Sequence, residues 1–168
     1  MAFADELLDL ARRIASLDGV NPQQASLRRA VSTAYYALFH LAIGEATANW
    51  SQSELRPLLG RVFEHGKMKQ ACSRLLGGKS DIPPFEKRAT PEDHLRAVAK
   101  AFVQAQEQRE DADDADYDVA APWSRGQVEA QIESVADAFR SWTAIRGRPD
   151  AQEFLVLLLG PKQRRGQA

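Results

Sequence analysis

The stretch SLRRAVSTAYYALFHLAIGEA, residues 26–46, constrains the fold of this chain more than any other. Turned at about 100° per residue, it is apolar over most of a helix's circumference. Leu27, Val31, Ala34, Leu38, Leu41 and Ala42 fill that surface. A helix apolar nearly all round belongs in the middle of a core. Only one narrow stripe is hydrophilic, made of Arg29, Thr33, Tyr36 and His40. The pattern predicts a central helix over residues 23–48 that turns its few polar groups inward.

The rest of the chain repeats the same period. Strand-like alternation bounded by turn residues is absent. Residues 3–17 place Leu7, Leu10, Ile14 and Leu17 on one face, and Gly19 and Pro22 then break the chain. Ser51 with Glu54 suggests a capping box for a short helix interrupted near Pro57. Residues 66–76 carry Met68, Cys72 and Leu75 before Gly77 and Gly78 stop them. Thr90, Pro91, Glu92 and Asp93 read as a helix start, with the helix running to residue 110. An acidic loop follows, and Ser124 with Gln127 opens a helix bearing Val128, Ile132, Val135, Phe139 and Trp142 at core spacing.

Gly147 and Pro149 close that helix. Asp150 with Glu153 would cap a last short one built on FLVLLL, residues 154–159, a run suited to covering a bundle end or to a dimer seam. The expected fold class is all-α: an up-and-down bundle of four main helices plus one or two short helices. One domain over residues 1–160 and a basic, frayed tail at 161–168 are expected.

Composition narrows the chemistry. A chain of 168 residues can bury a core without staples. Its formal net charge of −1 argues against a uniformly basic nucleic-acid binder while leaving room for a local basic pocket. Cys72 is the only cysteine, which rules out an internal disulfide and a cysteine-clustered zinc site. The start MAFADELLDLARR lacks a secretory pattern, and FLVLLL is too short to span a bilayer, so a cytoplasmic protein with no membrane partner is expected. There is no phosphate-cradling glycine loop, nucleophile elbow or paired-histidine zinc helix, and His40, His65 and His94 have no ligand spacing. Neither a metal nor another cofactor is expected.

RRAVSTAYYALFH at 28–40, followed by ADYD at 115–118 and an amphipathic helix, resembles the HEPN domain family over residues 5–145. The resemblance implies a helical bundle of toxin–antitoxin or defence systems, usually a homodimer. Some such proteins pair with a nucleotidyltransferase that modifies a tyrosine beside the active site. Others are metal-independent RNases whose motif is arginine, four to six residues, then histidine. In that motif the histidine shuttles a proton to or from the ribose 2′-OH and the leaving oxygen. The arginine holds the phosphate as charge grows on it.

Mapped onto QREDADDADYD, the resemblance puts Arg109 at the arginine position, but no histidine follows. Arg109, Asp116 and Tyr117 would form a degenerate active site, with Tyr117 at the modifiable position. An exposed aspartate with a pKa near 4 is a poor acid at neutral pH. Arg88 and His94 have the right spacing, yet they straddle a loop and a helix start. Arg29, Tyr36 and His40 would line an RNA- or nucleotide-binding cleft, or else sit inside the bundle paired with neighbouring acids. Tyr35 and the three tryptophans read as packing residues, and His65 and His94 as helix-end residues. The function implied is a partner-, nucleotide- or RNA-binding module; the alternatives are an active HEPN RNase and a generic helical adaptor.

Overall fold

The computed structural model describes residues 2–77, 93–113 and 121–160, and among them it contains helices and no strand. In chain order these are α1 (Ala2–Ser16), α2 (Gln24–Ala48), a 3-10 turn (Ser53–Leu55), α3 (Arg56–Gly60), α4 (His65–Leu76), α5 (Asp93–Asp113), α6 (Arg125–Ile145) and α7 (Pro149–Leu157). The fold is an all-α bundle, and α2 is its axis. It packs against α1, α5 and α6, while α4 lies on α5 and α7 on α2.

The composition of α2 explains that central place. Ala30, Val31, Ala34, Tyr35 and Ala37 are all fully buried, as is nearly all of Leu38. Small residues on several faces let neighbouring helix axes come close on more than one side. Leu95, Ala99, Phe102 and Ala105 of α5, with Val128, Ile132, Val135 and Trp142 of α6, complete the core around it. Thr33 and Thr47 are buried without cost to the core because their hydroxyls donate to Arg29 O (2.7 Å) and Ile43 O (2.9 Å) within the helix.

In α1 the buried face differs from the one expected. Ala4, Leu8, Ala11 and Ala15 face the core, whereas Phe3, Leu10 and Leu17 are exposed and Leu7 and Ile14 are half-buried. Close packing on α2 favours the face that carries three alanines and Leu8, and the face with Phe3 and Leu10 is turned outward.

Helix ends follow local chemistry. The Ser124–Gln127 capping box is formed: Gln127 N donates to Ser124 Oγ (3.2 Å), and Ser124 N to Gln127 Oε1 (2.8 Å). Just before it, Gln24 clamps the backbone of Trp123 in both directions, 2.8 Å each way, and so ties the start of α2 to the start of α6. The Ser51–Glu54 box is not formed; Gln52 precedes the 3-10 turn without a side-chain cap. Instead Arg56 reaches back, its Nε donating to Trp50 O (3.0 Å) and its Nη2 to Ala48 O (3.2 Å), to cover carbonyls at the end of α2.

Helix α7 begins with Pro149 in its first turn after Arg148, and Asp150 accepts from the adjacent Ala151 N (3.1 Å) in place of the expected box with Glu153. Phe154, Leu155, Leu157 and Leu158 are buried, so the apolar run covers the bundle. The expected start of α5 at Thr90 lies outside the described residues, and the helix continues at least to Asp113, nearly one turn beyond residue 110. No described helix is long and apolar enough to cross a membrane.

Candidate functional site

Polar side chains gather where α2 passes the last turn of α5 and the first turn of α4. Arg28, Ser32, Tyr35 and Phe39 recur at helical spacing and share one stripe of α2. Arg28 is only 4% exposed, and its Nη1 donates to both Asp111 O and Ala112 O at 3.2 Å. Those carbonyls belong to the last described turn of α5. Arg28 therefore ties the side of α2 to the backbone of α5.

One turn on, the Ser32 hydroxyl donates to Asp113 Oδ1. The other oxygen of that carboxylate accepts from Arg109 Nη1 at 3.3 Å. The Arg109 guanidinium lies 5.4 Å from the centre of the Tyr35 ring, in cation–π range. Tyr35 is fully buried, and its hydroxyl is 2.6 Å from Nδ1 of His65, the first residue of α4. The chain Ser32–Asp113–Arg109–Tyr35–His65 thus links three helices.

Protonation follows from this packing. Burial pushes the Tyr35 phenol well above its ordinary range, although Arg109 works the other way. Tyr35 stays neutral, and its hydroxyl shares one hydrogen bond with Nδ1 of His65, whose direction follows the imidazole tautomer. His65 is held below the usual histidine value by desolvation first, then by the positive charge of Arg109 and by His40. Its ring stacks on Phe39 with centroids 4.0 Å apart. His40 is likewise lowered by desolvation and meets Phe3 edge-on at 5.0 Å.

Of the residues expected in a cleft, Arg109 is in this junction and Tyr36 borders it, its ring edge-on to His65 at 5.9 Å. His40 is half-buried beside Phe39. Arg29 is exposed and takes no part; its neighbour Arg28 faces inward in its place. Asp116 and Tyr117 lie outside the described residues, as does Arg88. Pattern reading missed Arg28, Ser32, Asp113, and the partnership of Tyr35 with His65. The RR doublet was the visible signal for Arg28, and a shift of phase by one residue would have found it.

The arrangement is suited to holding helices together. Asp113 already occupies Arg109, and Glu107 and Glu110 stand on the same helix, both paired with Lys69 at 3.4 and 3.6 Å. An incoming phosphate would have to displace the first carboxylate and approach the other two. Cys72 is fully buried and its thiol is pushed up by that burial, which makes it unreactive. Among the described residues no group of three or more His, Cys, Asp and Glu side chains could hold a metal ion. Compared with protein-family models, with curated proteins and with solved structures, the chain matches none of them.

Proposed function

We propose that this chain is a helical adaptor of HEPN type, which acts by docking a partner and not by cutting RNA. The observation that carries this reading is a contrast between two surfaces. In the polar junction, Arg28, Ser32, Arg109 and Tyr35 are each engaged by another protein group. On α1 and the turn that follows it, by contrast, Phe3, Leu10 and Leu17 stand 57%, 38% and 73% exposed. A row of exposed large apolar side chains on a helix is a docking feature.

A second reading, the metal-independent RNase, is favoured by one observation: Arg109 and His65 both contact Tyr35, so a fixed cation and a titratable imidazole share one cluster. Incubation of the purified chain with labelled RNA in the presence of a chelator separates the two. The adaptor reading expects no cleavage, no rise in melting temperature with nucleotides, and retention of a native-host partner that Leu10→Asp abolishes. Cleavage lost in both Arg109→Ala and His65→Ala would overturn it in favour of the nuclease.

A further inference from the structure

The geometry points to a binding site for a guanidinium group in the cleft between α5 and α6, which the docking reading above does not use.

The cleft has a volume of about 850 Å³, within the range of about 300–1,000 Å³ usual for small-ligand sites. Its walls are polar. Gln104 and Gln108 bring amides to it, Glu107 and Asp111 bring carboxylates, and Trp123 brings an indole. Among the described residues, no lysine or arginine lines it. A phosphate or carboxylate entering here meets like charge, whereas a cation is drawn in.

Three groups narrow the cation to a guanidinium. Gln131, on the same wall, is only 4% exposed. Its Nε2 donates to Val31 O of α2 at 3.4 Å, and Oε1, the other arm of that amide, has no partner. A buried acceptor without a donor is costly, and a ligand N–H that reaches it removes the cost. Glu107 is shared with Lys69 at 3.4 Å, but Asp111, in the last described turn of α5, makes no ion pair with a described residue. Trp123 is fixed before any ligand arrives, because Gln24 holds its backbone N and O at 2.8 Å each.

A guanidinium matches this set in shape as well as charge. A carboxylate accepts two of its parallel N–H bonds, an indole attracts its flat face, and an amide oxygen takes a further N–H. An ammonium of the same charge has neither the fork nor the plane. The group arrives on a small free molecule or on the arginine side chain of a peptide, and the chemistry of recognition is the same.

Titration calorimetry of the full chain at low ionic strength tests this with three matched probes. Butylguanidine should bind, butylamine should bind at least about tenfold more weakly, and neutral butylurea should not bind. Asp111→Asn, at an exposed position, should weaken butylguanidine at least about tenfold while keeping the wild-type helical signal. Gln131→Met should weaken it as well, and Asp9→Asn on α1 should leave it unchanged. Agmatine and the peptide Gly-Arg-Gly then separate the two sources: tighter binding of agmatine means a free ligand, and tighter binding of the peptide means an arginine carried on a chain.

No heat of binding with butylguanidine at millimolar concentration overturns the inference. So does binding that butylurea or AMP equals, or binding indifferent to Asp111→Asn. The adaptor reading is judged apart, by Leu10→Asp and the partner it releases.

Discussion

The junction of α2, α4 and α5 and the outer face of α1 invert the usual division of a folded chain. In the junction, an arginine, a tyrosine and an aspartate are drawn into or against the core, and each meets a complementary group. On α1 and the turn after it, Phe3, Leu10 and Leu17 stay exposed while Ala4, Leu8, Ala11 and Ala15 take the interior. A buried polar group must find partners or lose several kcal/mol, so a closed network is what selection for stability alone would keep. An exposed apolar row contributes less to the stability of the isolated chain than the same side chains would inside the core. It calls for a reason outside the monomer.

The sharpest way to break the comparison is to separate the two adjacent arginines. Arg28→Met removes the donor to Asp111 O and Ala112 O. We expect a loss of about 1.5–3 kcal/mol, the range for hydrogen bonds involving a charged group. Arg29→Met, on the exposed side of the same helix, should stay within about 0.5 kcal/mol of wild type. Urea unfolding of both variants is the measurement, and equal losses would remove the distinction between Arg28 and its neighbour.

A smaller effect is expected at the other end of the network. Tyr35→Phe keeps the ring beneath Arg109 and among Phe39 and Phe102 but deletes the hydroxyl facing His65. The cost should be about 1–2 kcal/mol, since Nδ1 of His65 loses its partner. An unchanged urea midpoint would mean that solvent replaces the tyrosine there, and that the junction is wetter than its packing indicates.

The junction should also respond to pH. His65 and His40 both have pKa values lowered by burial, so the unfolded chain takes up protons that the folded chain resists. Stability is then fully present above the ordinary histidine pKa of about 6.5 and declines as the pH falls below it. Denaturation at about pH 7.5 and about pH 5.5 should show the loss, and His65→Gln should reduce it. A flat wild-type profile would place both imidazoles in free exchange with solvent.

The contrast also explains what could be read from the sequence. Helix order was legible from periodicity, and the start of α6 was fixed by Ser124 and Gln127 because that capping box is complete within four residues. Helix phase was less legible. In α1 the leucines attracted the core assignment, yet proximity to α2 favours Ala4, Ala11 and Ala15, a tertiary constraint that no single helix displays. The same one-residue shift exchanged Arg28 for Arg29. His65 was read as a helix-end residue, which it is, but its meeting with Tyr35, thirty residues earlier, depends on how the chain returns through α3.

The smallest predicted effect on stability bears most on function. Leu10→Asp puts a charge in the middle of the α1 stripe at a position already 38% exposed. Nothing in the core needs that side chain, because Ala4, Leu8, Ala11 and Ala15 supply the packing face. Monomer stability should therefore change by no more than about 0.5 kcal/mol. If urea unfolding at low protein concentration instead shows a loss of several kcal/mol, Leu10 belongs to the fold and the face is structural. A neutral result, joined to lost association, would identify a residue that selection keeps for binding alone.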